Sequence, residues 1–241
     1  MNYVYREGFS TLPNLKKVVS PFFISGNLKE EKKKSLSLQK CFLEHEIDDV
    51  VYEPICRFIV DNHPDNLEMD CFENLALNVT EDLAVHRMDG ERDWLAATHI
   101  CFPSNWSPEE KIGKNFEQIH LPIPGMDLRN SSKLVRASIF NGPFERYLWG
   151  LVFDEERNCH PDRVKKEFDI DNPHFYVKVE TQLMVGFPSV SALLFILRQC
   201  LISEKDVDKP SLLSTLLSMS PEQLKYKSIP EGLITYLRGT L

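Results

Sequence analysis

The side chains best suited to hold a metal or move a proton are the 7 histidines and the 36 Asp and Glu residues. The histidines are His45, His63, His86, His99, His120, His160 and His174. None stands in an H-E-x-x-H pair, and no Cys/His set has zinc-finger spacing. His45-Glu46-Ile47-Asp48-Asp49 is rich in ligand types, but a solvated acidic helix end accounts for it. His120 differs. Ile119 and Leu121 flank it, and Pro122 and Pro124 stiffen the backbone that follows. An imidazole on a rigid apolar segment suits a haem iron, which takes a proximal His in several protein classes; it suits a packed core as well. Trp106 and Trp149 carry the same two readings, pocket wall or core aromatic. Glu81 and Asp82 are adjacent carboxylates, yet neighbours on a strand point to opposite faces, so they share a pocket only across a bulge.

Other chemistries lack their signals. There is no G-x-S-x-G, no Walker loop and no G-x-G-x-x-G, which removes the main support for acyl transfer, P-loop hydrolysis and Rossmann hydride transfer. A net charge of -8, from 28 Lys and Arg against 36 Asp and Glu, argues against binding a nucleic-acid backbone. The longest clean apolar run, 192–197, is far too short to span a membrane, and the N-terminus has neither a basic nor an apolar leader region. The 6 cysteines are scattered without a C-x-x-C pair and read as reduced thiols of a cytoplasmic protein. The N-x-S/T triplets at Asn78, Asn105 and Asn130 then read as accidental.

These residues need a scaffold. With 42% hydrophobic and 10% aromatic residues, 241 residues can bury a substantial core. Residues 1–26, with Pro13 and Pro21, read as irregular or short extended structure. A helix is expected over 27–46, its 29–34 charge run forming a solvated face. A second is expected over 49–61, with Val50, Ile55, Phe58 and Ile59 on one side and His63-Pro64-Asp65-Asn66 ending it. Five strands are expected at 80–88, 93–102, 144–154, 174–185 and 190–202. The fourth alternates: Phe175, Val177, Val179, Thr181 and Leu183 on one side, Tyr176, Lys178, Glu180 and Gln182 on the other. Between the second and third lies a helix-rich insert. It opens at Ser107-Pro108-Glu109-Glu110 with an N-cap, a Pro at N1 and a capping-box Glu, and stops at Gly113. The chain is helical again from 210, and Ser220-Pro221-Glu222-Gln223 repeats the start signal. The expected architecture is one α+β domain over 1–241, with a helical flank (1–70), a sheet core (71–205) and C-terminal helices (206–241).

Several strings in this order resemble one family. They are Glu81-Asp82-Leu83, Phe102-Pro103-Ser104-Asn105-Trp106, Glu110-Lys111-Ile112-Gly113 and Ile119-His120-Leu121-Pro122-Ile123-Pro124. Arg146-Tyr147-Leu148-Trp149, Val179-Glu180-Thr181-Gln182-Leu183, Pro188, the 192–198 run ending in Arg198, Met219-Ser220-Pro221-Glu222 and Tyr226-Lys227-Ser228 follow. Over about residues 72 to 230 the chain resembles the haem-dependent oxidative N-demethylases. The resemblance implies a PAS-like five-stranded antiparallel sheet with flanking helices, enclosing haem b. It implies His120 as the iron ligand, with Trp106, Pro122, Trp149 and Arg198 about the cofactor. Glu81, Asp82 and Glu180 become the carboxylates that hold an ammonium substrate or relay protons. It also implies O2-dependent oxidation of a small (di)alkylamine by a haem subunit. Electrons then come from NADPH through FMN and a 2Fe–2S cluster on partner reductase subunits, and formaldehyde passes to a folate-binding subunit.

The chain departs from the family pattern at three places. Glu180-Thr181-Gln182 stands where Glu-Arg-Gln is common, Leu148-Trp149 where Asn-Trp is common, and Ile196-Leu197-Arg198-Gln199 where Thr-Ile-Arg-Thr is common. These changes remove polar groups, so the resemblance carries the fold further than the choice of amine. A haem-binding PAS-like sensor or carrier, or a degenerate member without haem, are the alternative readings.

Overall fold

Along Tyr176–Phe187, Val177, Val179, Leu183 and Val185 share one side, and Lys178, Glu180, Gln182 and Met184 the other. In the computed structural model this run is a strand near the middle of the sheet. The structure describes residues 10–12 and 14–241. Among them are seven antiparallel strands: β1 (Lys16–Lys17), β2 (Phe42–Glu44), β3 (Asp82–Asp89), β4 (Arg92–His99), β5 (Phe144–Val152), β6 (Tyr176–Phe187) and β7 (Ala192–Ser203). Their order is β1-β5-β6-β7-β3-β4-β2. The fold is α+β, and the expected count of five strands is corrected to seven. The five long strands stand together, and the two short ones close the edges. Strands of two and three residues carry no readable period, which is why they were not expected.

Helix α1 (Lys29–Leu36) is shorter than the helix expected over 27–46, because Phe42–Glu44 leaves it to pair with β4. α2 (Asp49–Asn62) matches expectation in extent, but its buried stripe is Val51, Ile55 and Ile59, and Val50 is 71% exposed. α3 (Phe72–Asn78) follows, then the insert with α4 (Pro108–Lys111), α5 (Phe116–His120) and α6 (Ser131–Asn141). α7 (Lys209–Leu217), α8 (Pro221–Tyr226) and α9 (Glu231–Thr240) end the chain. At α4 the Ser107 hydroxyl accepts from the Glu110 N–H, but it donates to Glu109, and no reciprocal bond from Glu110 forms. At α8, Ser220 and Gln223 complete a reciprocal capping box. The reading of residues 1–9 and Pro13 lies outside the described residues.

Helices cover both faces of the sheet. On one, Ile55, Ile59 and Leu75 pack on Leu83, Val85, Leu183 and Ile196, and α7 and α9 pack Leu212, Leu216, Leu233 and Leu237 on Val177 and Val179. On the other, α6 sets Val135 and Ile139 against Met184 and Leu193, and the α4–α5 segment covers Ala84, Leu95 and Leu197. The polar alternates of β6 are therefore dry: Lys178, Glu180 and Gln182 are buried. No helix among the described residues is long and apolar enough to cross a membrane, and the six cysteines are free.

One lysine of the 29–34 run is not solvated. Lys32 is fully buried, and its Nζ donates to the Ala76 carbonyl at 2.7 Å and the Glu81 carbonyl at 2.6 Å. It thereby satisfies carbonyls at the end of α3 and the entry to β3, where an unmade bond would be costly. Asp82 Oδ1 lies 4.0 Å away. Burial raises the Asp82 carboxyl to about 6. Burial, with the Lys32 charge, pushes His99 down to about 3.

Two predictions follow from this packing. A Cβ on Gly186 would come 1.9 Å from the Ile139 carbonyl oxygen, so α6 lies backbone-on-backbone against β6. Gly186→Ala should lower unfolding free energy by about 3 kcal/mol in urea melts, the cost of an unrelieved overpacking. A loss under about 0.5 kcal/mol would show that α6 is free to lift. For His99, the unfolded chain takes up a proton between pH 6.5 and about 3 that the folded chain refuses. Its contribution is full above pH 6.5 and drains as pH falls. Asp82 runs the other way, recovering stability as pH falls through about 6, so the effect is read by difference. His99→Phe should make the change of stability per pH unit between pH 4 and 6 more negative than in the wild type by up to about 1.4 kcal/mol, uncovering the opposing Asp82 slope. An unchanged slope counts against the burial argument.

Candidate functional site

His120 is the last residue of α5, a helix of five residues. A helix this short has little stability of its own, so its ends and flanks must hold it. At the start, Asn115 accepts from the Gln118 N–H at 2.8 Å, and Gln118 Oε1 accepts from the Asn115 N–H at 3.0 Å. Phe116 does the rest. Its N–H donates to Asp93 Oδ2 at 2.7 Å, its carbonyl accepts from His120 Nδ1 at 2.8 Å, and its ring stacks on the imidazole with centroids 4.0 Å apart. Asp93 Oδ2 also accepts from His86 Nε2 at 2.6 Å. Burial alone would raise Asp93, but the His86 bond and the Phe116 N–H outweigh it and hold the carboxyl below its ordinary value.

This arrangement decides the state of His120. A carbonyl only accepts, so Nδ1 carries the proton and Nε2 is left with a lone pair. Burial, reinforced by the Arg146 charge, pushes the imidazole down to about 3, which keeps it neutral at ordinary pH. From the same insert, Trp106, Ile112 and Ile119 pack with Ala84, Leu95, Leu197 and Phe195 of the sheet. The prolines are not what fixes the ring: Pro122 is exposed, and the anchor is Phe116.

On the same face of the sheet, four polar side chains cross three strands. Arg146 Nε donates to Gln182 Oε1 at 2.6 Å, Gln182 Nε2 donates to Glu180 Oε1, and Gln199 Nε2 donates to Glu180 Oε2 at 2.6 Å. The register sets Arg146 opposite Gln182 and Gln199 opposite Glu180.

The residues singled out from the sequence divide between the faces. His120, Trp106, Glu180 and Asp82 belong to the insert side. Asp82 is occupied there, accepting from the Cys101 N–H at 2.9 Å and the Phe102 N–H at 2.7 Å. Glu81 turns the other way, as neighbours on a strand must. It accepts from Arg198 Nε at 3.0 Å and the Ile24 N–H at 3.2 Å, and Arg198 also donates to the carbonyls of Pro21 and Phe22. Trp149, opposite Val179, packs with the C-terminal helices, and Lys227 donates to its carbonyl at 2.6 Å. Sequence reasoning passed over His86, Asp93, Phe116 and Arg146. The Asn115-x-x-Gln118 box, which places Phe116 four residues before His120, was the one readable signal among them.

Fold and site together define an α+β protein that presents one unprotonated imidazole nitrogen over a buried polar band. Residues 42–232 match the family described as haem-dependent oxidative N-demethylase, alpha subunit-like, and the chain belongs to that family. Its residues fit the haem of the family's name. A ligating His donates its second nitrogen to a fixed acceptor, as His120 does to the Phe116 carbonyl, and the Phe116 ring stacks on the imidazole.

Asp93→Ala strips the Phe116 N–H and the buried His86 of their partner, and should cost about 2–4 kcal/mol in denaturant melts. Amide exchange at Phe116 should quicken at the same time. A variant with wild-type stability and wild-type exchange would show that α5 is held by something else.

Proposed function

We propose that the chain is the haem subunit of an oxidative N-demethylase, built on a PAS-like sheet and acting on a small (di)alkylamine. The observation that carries this is the Nδ1–H bond of His120 to the Phe116 carbonyl, which aims a neutral Nε2 away from its own helix. The five long strands, contiguous and antiparallel with helical flanks, support the PAS-like reading. Haem b bound here would supply O2 activation, and its electrons would come from NADPH through FMN and a 2Fe–2S cluster on separate reductase subunits.

The chain's own part is to bind and orient. His120 offers Nε2 to the iron, and Phe116 fixes the plane of the ring. Glu180 is the carboxylate we assign to the ammonium of the substrate. Its two oxygens are steadied by Gln182 and Gln199, and each oxygen keeps a lone pair for an amine N–H. Glu81 and Asp82 act as structural acids in this reading. Free thiols at all six cysteines suit a reducing cytoplasm.

Purified protein titrated with haemin should develop a Soret band that His120→Ala shifts or abolishes. Supplied with a surrogate reductase and NADPH, the loaded protein should consume O2 in the presence of a small secondary amine, and Glu180→Gln should reduce that uptake 10-fold or more. A Soret band indifferent to His120→Ala sinks the ligand assignment. Haem binding without amine-dependent uptake across a panel of small amines points to a sensor or carrier.

A further inference from the structure

Arg146 is 8% exposed, and among the described residues no carboxylate comes within 4.0 Å of it. A guanidinium cannot shed its charge, and a buried charge without an anion is costly. The nearby acid, Glu180, offsets that cost only through space, because its oxygens are bonded to the amides of Gln182 and Gln199. Yet Arg146 is not loose. Its Nε is tied to Gln182 Oε1, and the amide cannot be reversed: its NH2 side must face the Glu180 carboxylate, which leaves the oxygen for the guanidinium. The Arg146 fork is thus aimed, and its two terminal nitrogens have no hydrogen-bond partner among the described residues. It is aimed on the insert side. Phe144 and Met184 are the next pair along the same face, and Met184 packs in one cluster with Phe116, the residue that holds His120.

A preset guanidinium with two free donors is complementary to a carboxylate, which it takes in bidentate fashion. We propose that Arg146 binds a propionate of the haem whose iron His120 ligates, so that the cofactor is fixed at two points, one on the insert and one on the sheet. The proposal rests on the haem reading above and extends it to a residue outside the expected set. Gln182 then serves as the positioning residue of that anchor.

The test compares haemin with its dimethyl ester, whose propionates carry no charge, by Soret titration of the full chain. Wild-type protein should bind haemin about 10- to 100-fold more tightly than the ester, the discrimination expected of one charge-assisted bidentate contact. Arg146→Ala should erase that preference, lowering haemin affinity to the level of the ester. Arg146→Lys, which keeps the charge but not the fork, should restore part of it. Far-UV circular dichroism confirms that each variant is folded, and the ester arm on wild-type protein needs no variant. Equal binding of haemin and ester, with the Soret band still dependent on His120, overturns the Arg146 anchor and leaves the haem reading standing. A preference for haemin that survives in Arg146→Ala also overturns it. No His120-dependent Soret band in the wild-type protein overturns both.

Discussion

Asp93 Oδ2 accepts from the His86 imidazole and the Phe116 N–H together, and that shared oxygen ties the β3–β4 hairpin to the helix that carries His120. The bond depends on a backbone irregularity. Val85 pairs with Ala97, but His86 pairs with Leu95, so a bulge falls between them. With regular pairing Asp93 would sit opposite Asp89 and point to the far face. The extra residue turns Leu95 and Asp93 onto the side of His86, under the insert. A one-residue shift in a strand therefore decides whether α5 has an anchor and whether His120 has a fixed acceptor.

A second constraint is the double burial of β6. Lys178, Glu180 and Gln182 alternate with apolar residues as in a half-wet strand, but helices lie on both sides. Each polar group must then find a partner inside the protein. Lys178 does so by donating to the carbonyls of Phe102, Pro103 and Arg157, which draws the loop after β4 onto the sheet. Glu180 and Gln182 do so with one another and with the strands beside them. Arg146 and Glu180 both keep their charges in the band with no opposite charge in bonding range among the described residues, joined only through the Gln182 amide.

How far this was legible in the sequence follows from what each feature depends on. The five long strands fall close to their expected spans because a period of two is a local property. Alternation also placed Glu81 and Asp82 on opposite faces. The extent of α2 is legible, but its stripe runs through Val51 and not Val50, since neighbouring apolar residues blur a helical phase. Lys32 was missed inside a lysine-rich run, because its burial depends on α3 and β3 closing over it. The bulge at His86 and the pairing of Arg146 with Gln182 are matters of register, which composition and period do not contain.

The strings that carry the family resemblance accordingly do two kinds of work. Glu81 and Arg198, far apart in sequence, meet on the face away from His120 and staple the 21–24 segment across the sheet. Trp149 likewise belongs to the packing of the C-terminal helices. His120, Trp106 and Glu180 remain on the insert side. A matched residue is thus evidence of shared architecture first. Its chemical role follows from the parity of its strand position: even-numbered positions of β6 look toward the imidazole and odd-numbered ones toward the scaffold. At Thr181, where the family commonly has Arg, the side chain lies on the scaffold face opposite Arg198. The missing cation is therefore a loss from the scaffold side, and the polar band facing His120 keeps its own guanidinium in Arg146.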